Sequence, residues 1–93
     1  MIRTFADTAT ERLWRTGKGR KLPPNLRRRA IRKLALLDAA TRLEDLASPP
    51  GNRLELLKGD RKGQHSIRIN DQFRICFRWE NGDANDVEVA DYH

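Results

Sequence analysis

The sequence has few of the residues on which several classes of protein depend. Its single cysteine, Cys76, cannot form a disulfide within the chain, and there is no CxxC, HExxH or clustered Cys/His spacing typical of a metal site. No window approaches the ~18 consecutive apolar residues of a membrane-spanning helix, and the first residues lack the pattern of a signal peptide. We therefore expect a cytoplasmic protein with no metal, no other cofactor and no membrane partner.

The chain is short and polar. It has 93 residues and a mass of 10.8 kDa, and compact domains usually hold about 50–200 residues, so residues 1–93 are expected to form a single domain. Hydrophobic residues make up 38% of the sequence and charged residues 34%. The apolar residues nevertheless recur with the periods of regular structure, which predicts a folded domain with a thin core.

Positive charge is concentrated in the N-terminal part of the chain. The formal net charge is +6 and the isoelectric point is near 10.2. Residues 1–36 carry eleven basic and two acidic side chains, a net +9, whereas residues 37–93 carry eight and eleven, a net −3, which together make +6. Fourteen of the nineteen cations are arginine, whose planar guanidinium suits phosphate and carboxylate groups. This distribution indicates an anionic partner, either a nucleic acid or an acidic protein.

The first forty residues predict one short strand followed by two helices. Ile2 to Phe5 alternates apolar and polar residues, as a strand does. Thr8 to Thr16 has helical spacing, with Asp7 or Thr8 as its cap and Gly17 where a helix would end. A second helix is expected to begin near Pro24, because proline is tolerated in a first helical turn.

The second helix combines an apolar arc with a basic one. The four cations that share the basic arc are Arg28, Arg29, Arg32 and Lys33. Such an arc is either a solvated helix face or a surface for an anionic partner, and the local excess of positive charge favours the partner.

Beyond residue 40 the spacing of apolar residues becomes alternating. One more helical turn is expected at 41–46, before a Pro- and Gly-rich segment ends regular structure. Strands are then predicted at 54–57, 65–70, 73–79 and 86–90, with a hairpin turn at 81–83. The expected fold is α+β: an N-terminal strand, two helices and an antiparallel meander with the helices on one face.

The register of the central hairpin follows from its side-chain faces. Directly paired residues lie on the same face of a sheet, so Ile67 must pair with another core residue. A three-residue loop at 70–72 pairs Ile67 with Ile75, whereas a two-residue loop would mix the faces. The longer loop is therefore predicted, and it places Arg68 opposite Arg74.

This register puts three arginines on the outer face of the sheet. Arg68 lies opposite Arg74, and Arg78 follows along the same face. Like charges directly opposite each other destabilise a sheet, so an anion should relieve them. That anion is either an acid of this chain, such as Asp60 or Asp91, or a bound phosphate.

The C-terminus can join these cations if the last strand lies beside the central hairpin. Lys58 and Arg61, in the loop at 58–63, would add two cations to Asp91-Tyr92-His93. Such a group suits cleavage of a phosphodiester without a metal, because cations stabilise charge on phosphoryl oxygens and an imidazole transfers a proton. The alternative is that His93 is an ordinary surface residue.

Two other titratable residues lie in the predicted strands. Cys76 lies between Arg74 and Arg78 by strand parity, where the cations could lower its pKa, but no base is assured beside it. His65 begins a strand. We interpret both residues as structural.

Several ordered motifs in the second half of the chain go beyond spacing and composition. They are Leu43-Glu44-Asp45-Leu46, Pro49-Pro50-Gly51-Asn52-Arg53-Leu54, Leu57-Lys58-Gly59-Asp60-Arg61, Ser66-Ile67-Arg68-Ile69-Asn70, Arg74-Ile75-Cys76-Phe77 and Asp91-Tyr92-His93. In these motifs the chain strongly resembles the HigB toxins, also called plasmid-maintenance killer proteins, of the RelE/ParE toxin superfamily. The resemblance spans essentially the whole chain and is most specific in residues 43–93.

The resemblance implies a RelE-like fold and a toxin of a type II toxin-antitoxin system. The implied activity is a ribosome-dependent endoribonuclease that cleaves mRNA by attack of the ribose 2′-OH and inhibits translation. The implied partners are the ribosome and mRNA, a HigA-like helix-turn-helix antitoxin, and operator DNA only through the antitoxin complex.

By position, the proposed catalytic group of the family falls on five residues of this chain. His93 would be the main acid or base, and Lys58 and Arg74 would stabilise the scissile phosphate. Tyr92 would orient or stack on a base, and Asp91 would steer the imidazole or a nucleotide. The implied RNA-binding residues are Arg61, Arg68, Arg78, Arg28, Arg29, Arg32 and Lys33. The basic helix would contact either ribosomal RNA or an acidic stretch of the antitoxin.

One residue departs from the family pattern. Some members have a histidine in the strand before the Leu-Lys-Gly motif, where this chain has Glu55. A carboxylate near a scissile phosphate would weaken substrate binding. Either the activity is lower, or Glu55 points away from the site.

Two other functions compete with the endoribonuclease. The first is a non-catalytic inhibitor of DNA gyrase that resembles ParE toxins and needs no acid or base. The second is a basic binding module that acts only with its antitoxin on operator DNA. The terminal His93 favours the enzyme, because a binding-only toxin has no evident need for an imidazole beside a cationic loop.

Overall fold

The computed structural model describes residues 1–92, so His93 lies outside the described part of the chain. Two helices, α1 (Thr8–Thr16) and α2 (Pro24–Ala39), precede the strands β1 (Glu55–Leu56), β2 (His65–Arg68), β3 (Phe73–Glu80) and β4 (Asp83–Asp91). Short 3-10 turns lie at Leu43–Ala47, Pro50–Asn52 and Gly59–Arg61. The predicted α+β class is confirmed.

Local sequence determines the ends of the two helices. The Asp7 carboxylate caps α1 by accepting a hydrogen bond from the Thr10 amide at 3.0 Å. Gly17 ends α1 with φ of 74°, and its amide donates to the Leu13 carbonyl at 2.9 Å. Pro24 opens α2 in the first turn, where its missing N–H has no helical partner to lose. These predicted boundaries are confirmed.

The four strands form one antiparallel sheet in the order β1-β2-β3-β4. Ile67 lies opposite Ile75, as predicted. The Ile69 amide donates to the Phe73 carbonyl at 2.9 Å, so the loop of the hairpin contains the three residues 70–72. The preference for one apolar face therefore selected the correct register.

β2 and β3 begin where predicted, and the other strand ends differ from the predicted ones by one to three residues. β1 and β2 are shorter than predicted, whereas β4 begins at Asp83 rather than at residue 86. Glu80 pairs directly with Asp83 because Asn81 and Gly82, with φ of 52° and 79°, form a two-residue turn. Positive φ at both central residues matches the twist of the flanking strands.

The predicted N-terminal strand is wrong as a continuous element. Ile2 and Phe5 each form one isolated parallel bridge to β4. Between these bridges the Asp86 amide donates to the Thr4 hydroxyl at 2.8 Å, and Asp86 has φ of 52°. The ladder is interrupted because a side chain takes the place of a backbone acceptor.

Both helices pack on the same face of the sheet, which we call the covered face. The buried core combines residues of both helices with the inward-facing residues of the strands, among them Leu13, Leu34, Leu37, Ile67, Ile75, Phe77, Val87 and Val89. The His65 ring stacks on Phe77 at 6.2 Å between ring centroids, which places His65 at the core as interpreted above. No helix among residues 1–92 combines the length and apolar character needed to cross a membrane.

Candidate functional site

The sheet face opposite the helices, which we call the bare face, carries the candidate site. Ser66, Cys76 and Glu88 lie opposite one another on three adjacent strands, so their side chains share this face. Cys76 belongs to a small apolar cluster at its centre, and the Tyr92 ring packs against that cluster. The bare face therefore has a small apolar platform surrounded by charged side chains.

The Arg74 guanidinium is held in place from two sides. Its Nε donates to the Ser66 hydroxyl at 2.6 Å, and its Nη2 donates to the carbonyls of Arg53 and Ser66 at 2.5 and 3.3 Å. Only 12% of the Arg74 side chain is exposed. Among residues 1–92, the Nη1 group donates no hydrogen bond. One edge of a positioned guanidinium is thus available to an anionic ligand.

Arg61 bridges the loop and the C-terminal end of the sheet. Its Nη1 donates to the carboxylate of Glu88 at 3.1 Å and to the side-chain oxygen of Gln64 at 3.2 Å. Its guanidinium carbon lies 6.0 Å from the centre of the Tyr92 ring. Burial works to lower the pKa of Arg61, but the hydrogen bond and charge of Glu88 leave it raised. The predicted approach of this loop to the C-terminus is observed.

Lys58 lies at the start of the same loop. It directly follows Leu57, which packs in the apolar cluster beneath Tyr92. The Arg61 amide donates to the Lys58 carbonyl at 3.4 Å, which closes the turn. The Lys58 side chain is exposed, and no ion pair within residues 1–92 engages its ammonium group. The backbone of Lys58 therefore lies beside Leu57 and Arg61, at the part of the bare face where Tyr92 packs.

Glu55 also lies on the bare face. It pairs with Ser66 across β1 and β2, and one carboxylate oxygen lies 3.5 Å from Arg74 Nη2. The alternative that Glu55 points away from the site is wrong, because directly opposite residues share a face. Its side chain is 60% exposed, so it neutralises Arg74 only in part.

Cys76 is fully buried at the centre of the bare face, in a cluster with Leu57 and Ala90. Burial raises the pKa of the Cys76 thiol and outweighs the nearby arginines. Arg61 and Arg74 do act to lower this pKa, as suggested for cations, but the net shift is upward because removing a thiolate from water costs more free energy than these charges recover. A buried thiol with a raised pKa is a poor nucleophile, in agreement with the structural interpretation.

Two of the three C-terminal site residues are described by the structure. Asp91 is exposed, lies opposite Phe73 and accepts a hydrogen bond from the Gln72 side chain at 3.1 Å. The Tyr92 amide donates to the Gln72 carbonyl at 2.5 Å, which holds the end of the chain beside the β2–β3 loop. The third predicted residue, His93, lies outside the described residues.

The three outer-face arginines have separate partners. Arg68 lies opposite Arg74, as the predicted register requires. The acids that accompany the three are Asp71 for Arg68, Glu55 for Arg74 and Asp86 for Arg78. The predicted relief by acids of this chain is observed, but these acids differ from the two that were named. Asp71 lies in the β2–β3 loop, Glu55 is paired with Ser66 across the sheet, and Asp86 lies at the irregularity in the β3–β4 ladder. Each arginine is therefore paired with an acid that the local strand geometry places beside it.

The basic arc of α2 lies apart from the bare face, because α2 packs on the covered face. Three of its cations line a groove together with a residue of β2: these four are Arg29, Arg32, Lys33 and Arg68. Arg28 is exposed on α2 and does not line this groove. The predicted RNA-binding residues therefore divide between two regions: Arg61 and Arg78 lie on the bare face, Arg28, Arg29, Arg32 and Lys33 lie on α2, and Arg68 lies between them, opposite Arg74 and beside the groove.

Sequence reasoning missed the residues that position the two arginines of the site. Ser66 and Glu88 could have been found by strand parity, because their positions alternate with core residues on β2 and β4. The carbonyl of Arg53 carries no such signal. It reaches Arg74 because Arg53 has φ of 45° directly after a 3-10 turn.

The arrangement suits binding of a ligand that carries both phosphate groups and an aromatic base. Positioned cations can hold phosphate groups, and a phenol ring on an apolar platform can stack with a base. Within residues 1–92, no three His, Cys, Asp or Glu side chains are grouped so that they could hold a metal ion.

The fold is similar to that of a chain in the solved YoeB-YefM complex from Staphylococcus aureus. The two share a TM-score of 0.55 and 15% sequence identity, over 100% of this chain and 98% of the other. At this identity the similarity establishes the architecture alone.

Closer relatives are found by sequence. Toxin HigB-1 from Vibrio cholerae is 42% identical over 85 residues, which are 90% of each chain. Endoribonuclease HigB from Proteus vulgaris is 33% identical over 93 residues, the full length of both chains.

A family model described as the RelE-like toxin of type II toxin-antitoxin system HigB matches residues 3–93. The class of this protein is therefore that of the RelE-like toxins, whose partner in such a system is an antitoxin. Within that class the chain belongs to the HigB-like family. The resemblance inferred from its motifs is confirmed.

Proposed function

We propose that this chain is an endoribonuclease that cleaves mRNA on the ribosome and thereby inhibits translation. The observation that carries the proposal is the positioned Arg74 guanidinium, with its open Nη1 edge on the bare face. A largely buried arginine that is fixed by neutral acceptors, and only partly neutralised by the exposed Glu55, keeps positive charge for a ligand such as a scissile phosphate. The relative from Proteus vulgaris is itself named an endoribonuclease.

In the proposed reaction the ribose 2′-OH loses its proton and its oxygen attacks the adjacent phosphorus. The bond to the 5′-oxygen breaks, that oxygen takes up a proton, and a 2′,3′-cyclic phosphate is left. Arg74 and Lys58 stabilise the negative charge that grows on the phosphoryl oxygens. His93, by the family resemblance, is the main acid or base that transfers a proton.

The remaining site residues hold the nucleotide. The Tyr92 ring lies on the apolar platform, where it can stack on or orient a base. Arg61 keeps the loop close to this ring and supplies a further charge for the RNA backbone. Asp91 steers the imidazole or a nucleotide from the end of β4.

The ribosome supplies the substrate geometry in this proposal. The bare face is open and positions only part of a nucleotide, so a translating ribosome would provide the proximity and orientation of the mRNA. The chain then acts in the cytoplasm. Its antitoxin is HigA-like with a helix-turn-helix domain, and operator DNA is bound only through the complex of the two.

The test compares wild type with His93→Ala on translating ribosomes, with cleavage sites mapped by primer extension. We expect the variant to bind ribosomes but to lose cleavage. Unchanged cleavage would transfer the proton-transfer role to another group. If cells that express wild type keep intact mRNA but show altered DNA supercoiling, the protein is a gyrase inhibitor and the proposal is wrong. If both mRNA and supercoiling are normal, the operator-binding module is the remaining function.

A tag added after His93 gives a second test of the same group. It would crowd the imidazole, so cleavage should decrease. The matched control carries the same tag before Met1, a residue that is 57% exposed.

A further inference from the structure

A groove between α2 and the end of β2 is distinct from the candidate site. Its volume is about 740 Å³, and its walls come from α2, from Pro49 and Gly51, and from Arg68 and Ile69. The groove is lined on one side by α2, and it meets the sheet at Arg68, the cross-strand neighbour of Arg74, but neither Arg74 nor Tyr92 lines it.

The cations of the groove are largely without compensating acids. Arg29 Nη1 donates to the Ile69 carbonyl at 3.3 Å, and the Lys33 ammonium donates to the Asn52 side chain, so both partners are neutral. Arg68 is paired with Asp71, whose side chain is 98% exposed and well screened by water. The groove therefore keeps a strong positive charge among the residues that the structure describes.

The position of the central lysine is determined by a buried support. Asn52 is fully buried, and its amide nitrogen donates to the carbonyls of Leu46 and Ser48 at 3.1 and 3.2 Å. Its side-chain oxygen accepts a hydrogen bond from the Lys33 ammonium group. The lysine is thus held at the groove instead of moving freely in solvent.

The cations also repel one another. Burial lowers the pKa of Lys33, and the charges of Arg29, Arg32 and Arg68 lower it further. An anion seated in the groove would offset this repulsion.

Part of the groove is apolar. Leu36 is a large hydrophobic residue with 41% of its surface exposed, and it lines the groove with Ala35 and Pro49. A nucleic-acid backbone gains little from an exposed leucine, whereas protein segments combine carboxylates with apolar side chains. The mixed lining therefore favours a peptide over RNA.

We propose that this groove docks an acidic, partly apolar peptide segment of a partner protein. Carboxylates of the segment lie against the four cations, and an apolar side chain lies on Leu36. The docking surface adjoins the outer face of the sheet at Arg68 but contains neither Arg74 nor Tyr92, so a segment bound here does not have to contact Arg74.

The test measures binding of synthetic ligands to the full-length chain by fluorescence anisotropy near physiological salt. The main probe is an acidic amphipathic peptide of about 12 residues with leucine on one face. Its twin replaces leucine by serine, and an oligouridine of equal charge represents RNA. We expect the leucine peptide to bind about tenfold more tightly than its serine twin.

Variants connect this preference to the groove. Arg32→Ala should weaken both peptides about threefold, since each loses a contact with a partly exposed charge. Leu36→Ser should abolish the preference for leucine and leave the serine peptide unchanged. Arg28→Ala is the matched control, because Arg28 is exposed on the same helix but does not line the groove. It should bind both peptides as wild type does.

Two results would overturn the proposal. The first is weak binding of the leucine peptide, or equal binding of the two peptides. The second is tighter binding of oligouridine that depends on Arg32 and not on Leu36, which would make the groove an RNA surface. Arg74→Ala should leave peptide affinity unchanged, so failure of docking and failure of the ribonuclease proposal are distinguishable.

Discussion

Arg74 Nε lies 2.6 Å from the hydroxyl oxygen of Ser66, and Ser66 is fully buried. The two residues are neighbours across β2 and β3, because Ser66 lies opposite Cys76, two positions along from Arg74. Because the buried Ser66 hydroxyl accepts this short hydrogen bond from Arg74, it fixes the direction of the guanidinium before any ligand binds. This pair links the register of the sheet to the chemistry of the bare face.

Removing the Arg74 side chain should strongly reduce RNA cleavage. We expect Arg74→Ala to lower the single-turnover rate on programmed ribosomes about 100-fold, because a fixed donor to the developing phosphoryl charge is lost. Arg74→Lys keeps the charge but not the planar fork, and should recover only part of the rate. Arg15→Ala, an exposed arginine of α1, is the control for charge. Full activity in Arg74→Ala would remove this residue from the reaction.

Ser66 is expected to act as a positioning residue through Arg74. Ser66→Ala should lower kcat about tenfold with little change in KM, because the guanidinium is misdirected in the transition state. Ser66→Thr restores the hydroxyl and should recover part of kcat. Thermal unfolding of both variants separates this effect from loss of structure. If the loss of kcat in the two variants only parallels their loss of thermal stability, the role of Ser66 is purely structural.

Glu55 is expected to weaken RNA binding. Its carboxylate lies 3.5 Å from Arg74 Nη2 and would repel an approaching phosphate. Glu55→Gln should tighten binding of a short RNA about threefold at low salt, and less at high salt, because the group is exposed and screened. The effect is measured by titration at several ionic strengths. Glu44→Gln, in the turn Leu43–Ala47, is the matched control, and equal behaviour of the two variants would contradict the expectation.

Asp7 is expected to make stability depend on pH in the acid range. Burial alone would raise the pKa of Asp7, but hydrogen bonds from Lys21 and Thr10 leave it below 3.8. The folded-state pKa is lowered, so this stabilisation is present above pH 3.8 and is lost as the pH falls through the lower folded value. Asp7→Ala should cost about 1 kcal/mol of unfolding free energy near neutral pH.

Asp7→Asn separates the charge from the cap. Asparagine also caps a helix but does not titrate. The difference in unfolding free energy between wild type and this variant should therefore be largest above pH 3.8 and should decrease at lower pH. Urea unfolding at a series of pH values provides the measurement. If this difference does not change with pH, the ion pair between Asp7 and Lys21 adds nothing to the stability of the fold.

His65 is expected to make the folded state less stable as the pH falls below neutral. Burial lowers the pKa of His65 from 6.5, and its Nδ1 is buried without a hydrogen-bond partner among residues 1–92. The folded state therefore binds fewer protons than the unfolded state, and stability falls as the pH drops from above 6.5 towards the lower folded value. His65→Phe can still stack on Phe77. Its unfolding free energy should change less than that of wild type between about pH 7 and about pH 5.

Much of the architecture was predictable because the decisive interactions are local. The Asp7 cap, the Gly17 terminus and the start of α2 at Pro24 depend on residues within one turn of each other. The hairpin register was predictable for a different reason. A shift by one residue would have moved Ile67 out of the core, and that cost excludes the alternative.

The candidate site was predictable only in part. Alternation along the strands placed Arg74 and Cys76 on one face, and the family motifs pointed to Lys58 and Tyr92. The roles of Lys58, Arg74, Asp91, Tyr92 and His93 in cleavage remain predictions. The side of the sheet on which Glu55 lies required the pairing of β1 with β2, which a two-residue strand does not reveal by its own pattern.

Residue spacing and motifs were enough to define the start of each helix, the strand faces, the charge of the N-terminal part and the membership of the HigB-like family. Only the folded chain reveals that Ile2 and Phe5 bridge β4, that Arg61 pairs with Glu88, and that Arg68 joins the cations of α2. The first group depends on neighbours in the chain and on periodic burial. The second depends on side chains that are distant in sequence and meet only after the sheet has formed, so their partners are set by register, by the positive φ at Asp86 and by packing.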